Sequence, residues 1–353
     1  MDSTNADPIV AECLPLARPP ATRTFLRCAR GGLCNRLRTC LSYALVSAER
    51  GGTLEIMWVA SNECPGTFTE HFEPLPRCRF IEAPLTSQKE SAALWNAQLA
   101  RLCQESTAVH SQPPLVAVEA HDYHEEVKGH ASREALCWGF LRPKPSVLEA
   151  VADNKRALPT SGYRAVHIRR TDHGPLAQHR TVAERDFIRF VGGVSEGEGE
   201  GMREGDCVGV SEAEGRGKDG GGGAGASGGG DGGAGGGGRA DEGEGRDVGE
   251  DDAGRGSPFF LATDCAAVRR AWCAREPRRC VVGAHGLNGE SGKLRQSSLH
   301  ASIVDLFTCV EARAFKGSTC SSFSDAIGRL RMVRGTSAAA DEHEYCDPPP
   351  PEL

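Results

Sequence analysis

The chain has 353 residues, a formal net charge of -7 and a pI of about 5.9. That length suits two domains with a core each, and the acidic balance excludes a general nucleic-acid binder, which needs a basic surface. No apolar run approaches a membrane span, and the opening MDSTNADPIVAECLPLARPP lacks the charged-then-apolar layout of a signal peptide, so the chain reads as soluble, with no membrane span.

In chain order, residues 1–20 carry prolines near their end and read as a flexible N-terminus. Thr24 to Ala29 is a first strand, Arg30-Gly31-Gly32 a turn, and Leu33, Leu37, Leu41, Leu45 and Ala48 recur at helical spacing, which predicts a helix over Leu33 to Arg50. Gly51-Gly52 stops it, and Thr53 to Val59 returns as a strand. Strand, glycine turn, helix and strand make a βαβ unit, which carries its ligand at the first turn. GGLCN is not the G-x-G-x-x-G dinucleotide fingerprint, and two glycines before a helix also occur for steric reasons alone. On the functional reading, Gly31 and Gly32 let the backbone approach a ligand, with Asn35 and Arg36 directed at it from the first helical turn.

From Cys64 to Thr160 the pattern predicts strands at Phe80 to Ala83 and Leu115 to Val118, with a helix near Ser91 to Leu102 between them. Short helices follow over Ser132 to Leu141 and Ser146 to Arg156, joined through Pro143 and Pro145, where the chain can cross to a second domain. His121, His124, Glu125 and His130 fit no zinc spacing and read as a solvated loop. Fifteen cysteines include no CxxC pair, and their odd number leaves the redox compartment open, so most are expected to be small buried hydrophobes.

The stretch around which the second half is organised is Tyr163 to Asp172, YRAVHIRRTD. Ala165 to Ile168 is a short buried strand that delivers Arg169, Arg170 and Asp172 to the edge of a sheet where α/β proteins bind ligands. Arginine offers a planar fork of donors that grips phosphate, and two in succession suit a diphosphate. Ordinary surface or salt-bridged arginines are the alternative. A polar loop with His173 and His179 follows, then a helix over Ala183 to Val191 with Phe187, Ile188 and Val191 inward. Residues 192–257 are Gly, Glu, Asp, Arg and Ser with almost no large apolar side chain, and read as a disordered insertion.

Pro258 to Ala262 resumes as a buried strand ending in Thr263-Asp264, followed by a helix with Val268 and Trp272 and a strand at Cys280 to Gly283. GLNGESGK at 286–293 fails as a phosphate loop, since Leu294 rather than Ser or Thr follows its lysine. Leu299, Ile303, Leu306, Phe307 and Val310 form a helical stripe that reads as core rather than function. Ala314 to Lys316 is a strand leading into GSTCSSFS and a helix from Asp325. Ser322 with Asp325 can cap that helix, and a hydroxyl-rich loop entering a helix N-terminus also suits an anion. Residues 336–353 form a flexible tail.

GGLCNRLR, HIRRTD, FFLATD and CSSFSDAIGRLR stand in an order that resembles the fucosyltransferase superfamily of α-1,6-fucosyltransferases, nodulation fucosyltransferases and protein O-fucosyltransferases. The resemblance is concentrated in residues 24–60, 163–190 and 258–332. It implies an α/β fold of two facing Rossmann-like domains of the GT-B glycosyltransferase type. The N-terminal, acceptor-side domain spans 21–160, and a small nucleotide-sugar domain spans 161–335, interrupted by the insertion at 192–257. It implies a glycosyltransferase that moves fucose from GDP-fucose, with inversion, to a glycan or protein hydroxyl, with no cofactor and no metal. The chain has no Asp-x-Asp for a divalent ion. Residue by residue, the resemblance makes Arg169 the group on the donor β-phosphate, with Arg170 assisting. It makes Asp264 an acid of the nucleotide pocket, and Ser321 and Ser322 the hydroxyls at the diphosphate. Gly32 and Asn35 become the first loop facing donor and acceptor. His167 and Phe323, in the same motifs, are placed with the substrate-binding set. The chain departs from the α-1,6 enzymes in the base, for they carry a glutamate soon after the arginine motif and here HGPLAQHR has none before Glu184. Asp172, His173 or His179 could substitute, or leaving-group assistance alone could suffice. The family setting implies a Golgi or endoplasmic reticulum lumen, although the sequence shows neither signal nor anchor. The rival reading is a non-catalytic relative that binds the nucleotide or serves as an interaction protein. A scaffold built on residues 192–257 is a third.

Overall fold

A computed structural model describes residues 21–83, 87–108, 113–169, 184–192, 256–284, 298–319, 321–337 and 341. By packing, the chain divides into a unit of residues 1–193 with 256–353 and a second unit, 194–255, which lies outside the described residues. What the sequence predicts for residues 1–20, for the phosphate-loop lookalike at 286–293 and for the tail from 342 lies outside them too.

The first half runs β1 (Arg23–Cys28), α1 (Leu33–Glu49), β2 (Thr53–Val59), β3 (Cys78–Ala83), α2 (Gln88–Ala108), β4 (Leu115–Glu119), α3 (Ala131–Trp138) and α4 (Pro145–Arg156). The second runs β5 (Arg164–Ile168), α5 (Glu184–Phe190), β6 (Phe259–Thr263), α6 (Ala266–Arg275), β7 (Cys280–Val282), α7 (Leu299–Val310), β8 (Ala314–Lys316) and α8 (Ser322–Val333). Each half builds a four-stranded sheet, in the orders β3-β2-β1-β4 and β7-β6-β5-β8. Every pairing within them is parallel. The α/β class with two Rossmann-like halves is therefore as the sequence predicts.

The two sheets share one topology, in which the first strand of each half lies between the second and the last. Connections leave β1 and β5 in opposite directions across the sheet, which opens a crevice beyond their carboxyl ends, the usual ligand position in such sheets.

The largest core cluster joins Leu26, Leu37 and Trp58 of the first half to Phe260, Phe307, Phe315 and Leu330 of the second. Helix α1 is buried nearly all round, because its leucine face meets its own sheet while Cys34, Arg36, Thr39 and Ser42 are covered as well. It packs against α3 and α8, and α4 packs against α7. Buried Arg329 of α8 pairs with Glu134 of α3 at 2.6 Å, and their side chains are only 6% and 9% exposed. Such a pair fixes the register between the two helices, since removal of either partner leaves a buried charge.

Helix boundaries shift where capping intervenes. Helix α8 begins at Ser322 rather than Asp325, because the Ser321 hydroxyl accepts the Ser324 backbone N–H at 3.4 Å and starts the helix three residues early. The cap is thus Ser321, not Ser322 with Asp325. Helix α2 extends well beyond the predicted 91–102 at both ends, its Ser87 and Glu90 exchanging bonds at the start. Among the described residues no helix is long and apolar enough to cross a membrane.

Candidate functional site

The carboxyl ends of both sheets open onto one cleft. From the first half come Gly32, Cys34 and Asn35 after β1 and Asn62, Glu63 and Pro65 after β2. From the second come His167 and Arg169 of β5 and its end, Thr263 and Asp264 of β6 and its end, Ser302 and Asp305 of α7, and Ser322 with Phe323 at the start of α8. A second hollow, lined by Arg23, Glu55, Arg77 and Arg79, lies at the amino ends of the first sheet's strands. There Arg77 donates to the Gly51 and Gly52 carbonyls, so part of its charge is committed to the fold.

The glycine turn has the conformation its residues predict. Gly31 has φ 77°, a conformation that favours glycine, and a Cβ there would also crowd the Asn35 side chain at 3.1 Å. Gly32 caps α1 without a side chain, which leaves that helix N-terminus without a side-chain cap at the cleft wall. The N-terminus of α8 lines the same cleft, so the positive ends of two helix dipoles border it.

Around β5 the second half is laced together by hydroxyls. The Ser318 hydroxyl donates to the His167 carbonyl at 3.0 Å and accepts the Arg169 backbone N–H at 3.0 Å, tying the end of β5 to the loop before α8. Thr263 donates to the Ile168 carbonyl at 2.7 Å. His167 is buried, its Nδ1 lies 2.7 Å from the Ser324 hydroxyl, and its ring packs on Phe323 with centroids 4.7 Å apart. Arg169 is thereby presented from a fixed backbone into the cleft.

Two titratable groups record the electrostatics of the walls. Burial pushes the Cys34 thiol up to about 12, and the positive charge of Arg169 across the cleft works the other way. Burial also raises Asp305 to about 7, partly opposed by Arg269. That carboxyl is closely approached at the end of β7, since a Cβ on Gly283 would stand 2.6 Å from its Oδ1.

Of the residues the sequence singled out, Gly32, Asn35, His167, Arg169, Asp264, Ser322 and Phe323 line this cleft together. Gly31 stands behind it, shaping the turn. Arg170, Asp172, His173 and His179 lie outside the described residues. Two expectations about direction change. Ser321 is fully buried and spends its hydroxyl on the helix cap rather than on a ligand.

Arg36 does not point at a ligand either. It is 1% exposed and donates to the Gly31 carbonyl at 2.8 Å, Ala29 at 3.1 Å, Cys28 at 3.4 Å, the Ser61 hydroxyl at 2.6 Å and also the Val59 carbonyl. All five guanidinium donors are thus used within the protein. The reason is geometric, because the first turn of α1 directs this side chain under the glycine turn, where the ends of β1 and β2 expose carbonyls that need partners.

Residues that the sequence did not single out also reach the cleft. Asn62 and Glu63 sit in a loop without a motif, and Ser302 and Asp305 interrupt the apolar stripe of α7 at three-residue spacing after Leu299, on the side that faces the cleft. A charged residue inside an otherwise apolar helix was the signal that could have found Asp305. Among the described residues no three His, Cys, Asp or Glu side chains gather as metal ligands would.

No protein family's profile matches the chain, and no curated protein matches it. Solved structures do. NodZ α-1,6-fucosyltransferase soaked with GDP-fucose aligns over 88% of this chain and 92% of its own, at 14% identity and a TM-score of 0.46. Fucosyltransferase NodZ from Bradyrhizobium aligns over the same 88% and 92% at 13% identity and a TM-score of 0.44. POFUT1 in complex with GDP-fucose aligns over 93% of this chain and 98% of its own, at 10% identity and a TM-score of 0.43.

Proposed function

We propose that the chain is an inverting, metal-independent fucosyltransferase that takes GDP-fucose as donor and a glycan or protein hydroxyl as acceptor. The observation that carries this reading is the meeting of Arg169, Asp264 and Ser322 with the glycine turn in one cleft at the carboxyl ends of both sheets. A strand-end guanidinium and the N-terminus of α8 supply positive potential where a diphosphate would lie. The GDP-fucose preference rests on the motif resemblance, and metal independence on that resemblance and the lack of Asp-x-Asp in the sequence.

In this reading the bond between the fucose anomeric carbon and the phosphate oxygen breaks, and its electron pair leaves with GDP. Arg169 and the amide groups at the start of α8 stabilise the charge that develops on the leaving oxygen, in a fixed arrangement that needs no reorganisation. His167 and Phe323 pack together as a wall beside them, and Ser318 holds the Arg169 backbone in place. Asp264 offers acceptors to sugar hydroxyls. Asp305, once ionised, presents two oxygens to a pair of N–H donors such as guanine carries on one edge. Arg170, Asp172 and His173 belong to the proposal through the sequence alone.

Calorimetric titration with GDP, GDP-fucose and UDP tests the donor, followed by measurement of GDP released from GDP-fucose. Tight GDP binding with turnover supports a transferase. GDP binding without turnover, over a broad panel of glycan and peptide acceptors, would leave a non-catalytic nucleotide binder, and absence of GDP binding removes both.

A further inference from the structure

Three carboxyl groups line the cleft among the described residues, namely Glu63, Asp264 and Asp305. Asp264 follows β6 and Asp305 stands on α7, so both belong to the half that carries Arg169. Glu63 alone comes from the opposite half, after β2. Substitution with inversion requires the incoming hydroxyl to approach the face of the sugar turned away from the leaving phosphate. A base that serves it must therefore stand on the wall opposite the phosphate grip.

Glu63 occupies such a wall on a rigid support. Ser61 and Cys64 exchange both backbone hydrogen bonds, at 3.1 and 3.0 Å, so that Asn62 and Glu63 form the tip of a two-residue turn. Cys64 is fully buried beneath that tip, while Glu63 itself is exposed. The Ser61 hydroxyl takes a hydrogen bond of 2.6 Å from Arg36, whose other donors hold the carbonyls of Ala29 and Gly31. One guanidinium thus sets the Glu63 turn and the glycine turn, with Asn35, in a single frame. Farther along, Trp58 donates to the Gly66 carbonyl at 3.0 Å and anchors the outgoing chain. Such pre-positioning is what a proton acceptor needs, since its contribution depends on reach before strength.

The other candidates belong to the second half. His167 is buried, with one ring nitrogen against Ser324 and a face on Phe323. Asp305 stands on α7, with Gly283 beside its carboxyl.

We propose that Glu63 is the general base, taking the proton from the acceptor hydroxyl as it attacks the anomeric carbon. This deepens the transferase reading and rests on it. The balance is complete: the acceptor O–H proton passes to the Glu63 carboxylate, the oxygen forms its bond to carbon, and the bond to phosphate breaks with its electron pair on GDP.

The test uses GDP-fucose with water as acceptor, so the natural acceptor need not be known, and compares the unaltered full chain with Glu63→Gln and Glu63→Ala. Loss of a positioned base is expected to slow GDP release by about 100-fold or more. GDP affinity should stay within about threefold and thermal stability should be unchanged, because the side chain is exposed at a turn tip. Azide, a nucleophile that needs no base, is expected to restore release in Glu63→Ala and to yield fucosyl azide of inverted configuration. Release by Glu63→Gln within about threefold of the unaltered chain overturns the assignment, as does a slowed Glu63→Ala that azide leaves slow. If the unaltered chain binds GDP yet releases none from GDP-fucose even with azide, the transferase reading itself falls and takes the base with it. An active parent with equally active variants removes Glu63 alone.

Discussion

Two buried or half-buried charges illustrate how differently neighbouring side chains are employed. Arg169 follows the end of β5 and Arg36 reaches the ends of β1 and β2 from α1, yet Arg36 is exhausted by protein acceptors while Arg169 lines the cleft. Arg169→Ala should therefore lower the rate of GDP release by roughly 100- to 1000-fold, as loss of one transition-state donor does, with little change in melting temperature. Equal losses in rate and stability would assign Arg169 to the fold. Asp305 makes a pH prediction. Its carboxyl is held at about 7, so the acceptor form grows across neutrality. GDP affinity should weaken by about tenfold from pH 8 to pH 6, and Asp305→Asn should bind more weakly and lose that component of the pH dependence. The stability sign runs the other way. The folded value lies above the unfolded one, near 3.9, so the native state holds the extra proton between those values. Stability should fall as pH rises from about 4 to about 7, and thermal melts of Asp305→Asn over that range should be flatter.

Among the elements, α8 joins fold to site most directly. Its cap, Ser321, is buried, and the residues that follow the cap, Ser322 and Phe323, face the cleft. Ser321→Ala should cost about 1 kcal/mol through the lost cap, read as a fall of a few degrees in melting temperature, and it should weaken GDP binding by loosening the turn that carries Ser322. A variant that melts normally would show that the cap hydroxyl contributes nothing. The same element shows why boundaries were hard to read from sequence. GSTCSSFSD contains several residues able to cap, and selection among them depends on which hydroxyl the preceding strand, β8, brings within reach of a free N–H. Helix α7 shows the complementary difficulty. Its apolar stripe was legible as core, but which of its remaining positions met solvent and which met the cleft depended on the sheet packed beyond it.

At the scale of the molecule, the ends of the interrupted segment meet. A Cβ built on Gly256 would lie 2.9 Å from the Gly192 carbonyl oxygen, so the chain leaves and re-enters the second half at one point. Replacing residues 193–255 with about four glycine and serine residues should keep GDP binding and raise stability by up to about 2 kcal/mol, through the smaller entropy of loop closure. Denaturant unfolding measures this, and loss of GDP binding in the shortened chain would give residues 193–255 a part in the site.

Local patterning by itself determined the α/β class, nearly every strand and helix, and the first-turn and strand-end positions at Gly32, Asn35, Arg169, Asp264 and Ser322. Those signals are carried by residues close in sequence, where period and glycine placement report directly on backbone form. Only the tertiary structure decided that Arg36 and Ser321 turn inward, and that Asn62, Glu63, Ser302 and Asp305 join the cleft. The physical reason is that a side chain's direction relative to a ligand depends on the packing of distant elements: the carbonyls at the ends of β1 and β2 that claim Arg36, and the second sheet that brings α7 and α8 opposite α1.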